Sequence, residues 1–375
     1  MRSKPSLTVG LCLLLAFVFS GCGTGTAPVE SGGRVISGAA PDTDGATKIL
    51  LYYDMEGTSG QNDIRSLSFG NEEYREARVW LTDDVNAVIE GLFAGGADVV
   101  DVVDAHGSGN PQRDILLDKL DSRAQMLYKD EPFRPYVDLT EKGLYDAVAV
   151  VCMHSKTGGG GFAAHTYTLG MDWILNDMSI NETEIIAYSW GRADVPLIFA
   201  SGDNKLKEQL EWMTWLEFVT VKIAKSADDA ELIPFDEVHQ EMRAASQRAV
   251  ENLSRAQAVK LSTPIKAQLR AVHPARLDML DGVPGILCQD QTVTFEAQDY
   301  LEAYDGIEGL LRVATLGYTG LLNEVLRDED NRLKIMNEYR ELLFRRWVDV
   351  ESGRWQPPSP VSKKAGGKGK YFGAR

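Results

Sequence analysis

Two carboxylates set two residues apart, Asp54 and Glu56, stand where a short apolar run, Ile49 to Tyr53, meets Gly57 and Gly60. Residues two apart on an extended chain point the same way, so both side chains can converge while Met55 turns aside. Such a pair can ligate a cation, perform acid–base work or cap the next helix. Imidazoles recur in the same setting. The run from Val99 closes on Asp104 and His106, the run from Tyr145 closes on His154, and His165 follows beyond the glycines at 158–161. One histidine after a strand is an ordinary structural group. Two of them beside a carboxylate pair, at equivalent strand ends, indicate a metal site. Imidazole and carboxylate without thiolate suit zinc before manganese or iron. Glu182 and Glu184 precede the helical run Ile185 to Trp190, where acids read as the solvated first turn of a helix.

The elements that must position these groups follow from hydrophobic periodicity. The runs at 49–53, 99–103, 145–153 and 195–200 are β-prone and apolar enough to be buried on both faces. Ala77, Leu81, Val85, Val88, Ile89 and Leu92 form the apolar stripe of a helix over 72–93, ended by Gly95 and Gly96. A second helical stretch is expected between the runs at 99 and 145, a third past Asp203, and a charged amphipathic one around Phe235 to Leu253. That last helix places His239 on the surface. Strands alternating with helices predict an α/β fold with a mainly parallel sheet, and ligands in such sheets bind beyond the strand carboxyl ends. The first three runs all deliver Asp, Glu or His there. Residues 48–260 read as this domain. Residues 261–350, with β-prone segments from Pro264 to Glu296 and a helix over 297–316, read as a smaller α/β C-terminal lobe of the same unit.

The ends read differently. Arg2 and Lys4 precede an apolar stretch, Leu11 to Phe19, which stops at Ser20-Gly21-Cys22. That is a signal peptide over 1–21 with a lipobox-like ending, so Cys22 is the expected lipidated N-terminus and membrane anchor. Gly23 after the cysteine fits onward passage to the outer membrane of a diderm cell. Residues 22–47 have turn-former composition and read as a flexible tether, and 351–375 as a disordered basic tail. The formal charge of the 375-residue chain is −16, and −18 without the signal, which argues against nucleic-acid binding. Of four cysteines only Cys152 and Cys288 lie inside the fold, each in an apolar run, so buried thiols are expected and no disulfide framework.

Taken together these motifs resemble the DppA-type D-aminopeptidases. The resemblance runs through Asp54-Met-Glu-Gly-Thr-Ser-Gly60, Asp104-Ala-His106, Met153-His154, the interval to His165, Val195-Pro196 with Gly202-Asp203, and Thr292 to Tyr304. It implies two zinc ions per chain held by Asp54, Glu56, His106, His154 and Glu182, with Glu182 preferred over Glu184. His165 is the implied catalytic residue, short peptides with an N-terminal D-residue the substrate, and a homo-oligomer the assembly. Two metals bridged by a carboxylate, here Asp54, would lower the pKa of water from near 16 toward about 7. His165 would serve the leaving amine or the oxyanion, and Asp104 would orient the His106 ring. Tyr52, where the family has a small polar residue, implies altered packing behind the metals, and the four glycines at 158–161 a looser substrate loop. With the signal, the expected location is the cell envelope, and the expected substrates are D-Ala-D-Ala-like peptides. The other readings are a metal-dependent amidase for other small amides, and a peptide-binding lipoprotein without catalysis.

Overall fold

The structure is a computed structural model describing residues 29–38, 45–127 and 134–355, except positions 274, 282, 284 and 328. The signal peptide, Cys22 and the chain after residue 355 lie outside the described residues.

Two short strands come first, β1 (Val29–Ser31) and β2 (Arg34–Gly38). They are followed by β3 (Lys48–Tyr53), α1 (Glu72–Ala94), β4 (Val99–Asp104), β5 (Gln125–Met126) and β6 (Ala147–Met153). A hairpin, β7 (Met171–Leu175) with β8 (Met178–Ser179), precedes α2 (Glu182–Gly191), β9 (Leu197–Asp203) and α3 (Asn204–Leu210). Next are β10 (Glu217–Ser226), β11 (Asp229–Leu232), α4 (Phe235–Glu251) and β12 (Gln257–Leu261). Last come β13 (Ile265–Ala271), β14 (Cys288–Gln289), β15 (Thr292–Ala297), α5 (Tyr300–Val325) and α6 (Arg332–Glu351).

Seven strands form the central sheet in the order β11-β10-β9-β6-β3-β4-β5, all pairs parallel except β10 with β11. The pleat of β3 explains why it is apolar throughout. Ile49, Leu51 and Tyr53 pack against α1 and α4 on one face, and Leu50 and Tyr52 face α2 and the second sheet on the other. The chain leaves β3 for its neighbour β4 on one side and returns to β6 on the other. The carboxyl ends of β3 and β6 therefore frame the crevice where strand order reverses. The fold is the expected α/β arrangement, with α1 and α4 on one face and α2 on the other.

Several expectations are corrected. The second sheet, β14-β15-β13-β7-β8, is antiparallel and draws β7 and β8 from inside 48–260, so no boundary falls at residue 260. The pairing of Leu175 with Ala267 is non-local and leaves no trace in either segment's periodicity. The supposed tether is partly structured: β2 pairs with β12, and Arg34 donates to Tyr188 and Glu184 at 2.8 Å while stacking 4.1 Å from the Trp212 ring. Between β4 and β6 the described residues hold turns and β5 in place of a helix. The helix expected over 297–316 runs on to Val325, and α6 follows where no element was foreseen. Cys152 is buried and Cys288 half-buried, both as thiols.

Candidate metal centre

Each candidate side chain is delivered by a strand end or a loop held tightly to one. Asp54 continues β3, its N–H donating to Val151 O at 3.0 Å, and Gly57 N–H donates to Cys152 O at 2.8 Å. A Cβ at Gly57 would stand 2.1 Å from Met153 O, so only glycine lets the carboxylate loop lie against the end of β6. Beneath it the buried Lys222 of β10 donates to Glu56 O at 3.0 Å and Gln61 O at 2.7 Å. Burial pulls this ammonium down to about 8. Its partners are carbonyls, so its work is to hold the loop in place.

The five expected ligands meet at one place. His106 Nδ1 lies 2.9 Å from Asp54 Oδ1 and 3.2 Å from Glu56 Oε2. Its Nε2 lies 3.0 Å from Leu67 O, an acceptor, so that nitrogen carries the hydrogen and Nδ1 faces two carboxylates. A bare lone pair there would be repelled; a proton or a cation must sit between. His154 repeats the arrangement. Its Nδ1 donates to Ser155 O at 3.0 Å, and its Nε2 is 3.3 Å from Asp54 Oδ2 and 3.4 Å from Glu182 Oε1. Although close enough to both, that Nε2 is buried without a well-aligned hydrogen-bond partner. An orphaned imidazole nitrogen aimed between carboxylates is the donor set a metal requires, so these residues fit the metal.

The charges are strongly coupled. Burial alone would push both imidazoles down, yet Glu56 and Asp54 raise His106 well above its usual range, and Glu182 and Asp54 do the same for His154. Burial would raise Glu56 and Glu182, but the facing histidines hold both below the usual carboxylate range. Three sets of donor atoms lie close enough to share an ion: Asp54, Glu56 and His106; Asp54, His154 and Glu182; Glu56, His154 and His165. Asp54 belongs to the first two.

His165 stacks on His154 with ring centroids 4.2 Å apart. Its Nδ1 donates to Ala163 O at 2.8 Å, which leaves Nε2 facing a cavity of about 320 Å³, 3.8 Å from Glu182 Oε1. The same cavity is lined by Asp54, Glu56, His106, Glu182, Tyr136, Leu67, Leu169 and Phe344.

Neighbouring candidates part company here. Glu182 and Glu184 are both buried, which overturns the solvated reading. Glu182 faces the cluster, where the Tyr136 hydroxyl and Tyr167 N–H donate to it. Glu184 faces the other way, completing a capping box with Asn181 and pairing with Arg34. Asp104 accepts from the backbone N–H of His106 at 2.9 Å, so it fixes the loop and not the ring. His239 is buried and bonds Asp84 at 2.7 Å, correcting its surface placement; Ser59 and Cys152 also donate to Asp84, which draws that helix inward. Tyr52 is turned away from the cluster, its hydroxyl donating to Pro135 O and accepting from Trp190. The glycines at 158–161 are pinned: Gly158 and Gly160 donate to Glu351, and Gly161 packs on Ser155 and Asp203. Tyr136, Tyr167, Lys222 and the Leu67 carbonyl were not legible in the sequence, since none sits in a spaced motif.

The Peptidase M55 family model, described as D-aminopeptidase, matches residues 47–308. A D-aminopeptidase of Bacillus subtilis (strain 168) is 25% identical over 267 residues, which span 69% of this chain and 95% of that protein. Among solved structures, the Zn-dependent D-aminopeptidase DppA from Bacillus subtilis, described as a self-compartmentalizing protease, superposes with a TM-score of 0.66. It has 23% identity and covers 72% of this chain and 99% of its own, a likeness of fold.

Proposed function

The chain belongs to the Peptidase M55 family of D-aminopeptidases, and from that premise we propose that it is a dinuclear zinc enzyme removing the N-terminal D-residue from short peptides. The observation that carries the reading is the double membership of Asp54, whose two oxygens face His106 with Glu56 on one side and His154 with Glu182 on the other. Asp54, with Glu56 and His106 on one side and His154 and Glu182 on the other, would hold two cations. Zinc held there would supply a Lewis acid for the scissile carbonyl and would make a water easier to deprotonate at neutral pH.

The protein's own groups supply the rest. The carbonyls of Leu67 and Ser155 fix the imidazole tautomers, so that His106 presents Nδ1 and His154 presents Nε2. The Tyr136 hydroxyl and Tyr167 N–H hold Glu182, keeping its other oxygen lone pairs directed at the cluster. Leu67, Leu169 and Phe344 give the cavity an apolar wall. His165, with Nδ1–H tied to Ala163, has Nε2 available to take a proton from the attacking water and pass it to the leaving amine nitrogen. A free N-terminal ammonium would lie against the carboxylates and fix the register of the first peptide bond.

Cys22 is proposed as the lipid anchor, which would place the enzyme in the cell envelope, where D-Ala-D-Ala-like peptides are the fitting substrates. Homo-oligomerisation is carried over in the same way from the self-compartmentalizing relative. The test is a panel of D- and L-aminoacyl dipeptides, free and N-acetylated, given to zinc-loaded protein beginning at residue 23, alongside metal analysis. The expected outcome is cleavage of free D-peptides, little cleavage of acetylated ones, and close to two zinc ions per chain. Equal cleavage of free and acetylated peptides would make it an amidase or endopeptidase. Less than one zinc would end the dinuclear reading.

A further inference from the structure

The helix α6 lies wholly beyond the residues matched by the family, yet it lines the site. Asn337, Arg340, Phe344, Trp347 and Glu351 recur at spacings of three and four, so they share one face of the helix. That face is anchored at two points on the histidine-bearing loops. Trp347 is fully buried and donates to Ala164 O at 2.7 Å, next to His165, and Glu351 accepts from Gly158 and Gly160. Between them and the start of the helix, Phe344 forms a wall of the metal-site cavity. A second cavity of about 280 Å³ adjoins it and shares Ser68, Gly107, Leu169 and Phe344 with it.

The second cavity has the chemistry of a peptide's far end. Arg340 lines it, and its guanidinium donates to Ser108 O at 3.5 Å, a long contact; among the described residues no ion pair includes it. The other charged groups there are already engaged: Arg65 with Asp63 and Glu73, and Glu341 with Arg345. Asn337, one turn before Arg340, keeps its side-chain oxygen buried without a hydrogen-bond partner, an acceptor for a peptide N–H. In a protein of charge −16, a guanidinium left without a carboxylate beside an acidic catalytic centre is a local exception that favours an anion.

Resting on the aminopeptidase reading above, we propose that α6 makes this a site for short peptides with a free C-terminal carboxylate. Phe344 limits the space beyond the scissile bond, and Arg340 pairs with the carboxylate in the adjoining cavity. A long chain has no carboxylate at that position and must displace Phe344, so substrate length is set by an element this protein adds to the family fold.

The test compares D-Ala-D-Ala with its C-terminal amide, by kcat/KM and by calorimetric binding. The wild type should prefer the free acid by about tenfold, as a charge-assisted pair implies. Arg340→Gln should reduce that ratio to within about twofold, chiefly through KM, and Arg340→Lys should restore part of it. Phe344→Ala should raise turnover of tetrapeptides relative to dipeptides by about tenfold. An acid-to-amide ratio that is near one in the wild type, or unchanged in Arg340→Gln, overturns the proposal. If nothing is hydrolysed but the free acid binds better and Arg340→Gln abolishes the preference, the role of α6 stands and the aminopeptidase reading falls.

Discussion

At the scale of residues, the cluster separates groups that sequence spacing treats alike. Glu182 and Glu184 lie on one helical turn, both buried, yet only Glu182 faces His154. Glu182→Gln should lower bound zinc by about one equivalent, since it removes a carboxylate from one of the two donor sets that share Asp54. Glu184→Gln should leave the zinc content unchanged and cost about 1–2 kcal/mol in denaturant unfolding, because its partner Arg34 is partly exposed. The reverse pattern would reassign the ligand. His106→Ala should lose metal along with activity. His165→Ala should keep most of its metal and lose about 10²–10⁴-fold in kcat, the range of a proton-transfer group. Metal loss in that variant would make His165 a ligand.

At the scale of elements, the carboxylate loop after β3 depends on what lies beneath it. Lys222 enters from β10, and its ammonium satisfies the carbonyls of Glu56 and Gln61 in a fully buried setting. Lys222→Met keeps an unbranched apolar side chain but removes the ammonium, which lies 4.7 Å from the centre of the Phe162 ring, so Gln61 O loses this donor and Glu56 O keeps only the Gln61 side-chain amide at 3.3 Å. The expected loss is about 1–3 kcal/mol of stability, with weaker zinc retention on titration with a chelator. If stability falls and zinc affinity does not, Lys222 serves the sheet and not the site. The N-terminal arm is similar in kind: its composition reads as tether, but the backbone pairing of β2 with β12 and the Arg34 contacts order it.

At the scale of the whole molecule, charge and topology bear on location and substrate. A chain of −16 does not suit nucleic acid, and no helix among the described residues is long and apolar enough to cross a membrane. The proposed route to a membrane is therefore the acylated Cys22. Cys22→Ala should yield an uncleaved or soluble precursor with altered mobility, because a single acyl chain on a tethered domain is an attachment that its loss removes. Fractionation with membranes and mobility identical to the wild type would overturn the lipoprotein reading.

Which strands end in chemistry is legible in the sequence alone. Asp54-Met-Glu56, Asp104-Ala-His106 and His154 each close an apolar run, and a parallel sheet obliges such ends to share one edge. The α1 stripe is legible there too, because periodicity is local. Which of the two buried acids faces His154, the burial of His239 against Asp84, and the pairing of β7 with β13 came only with the folded chain. These depend on contacts between residues far apart in the chain, whose partners no single segment encodes. The same reason hid α6. Its inner face has meaning only against the loops that carry His106 and His165, and those loops are placed by the sheet.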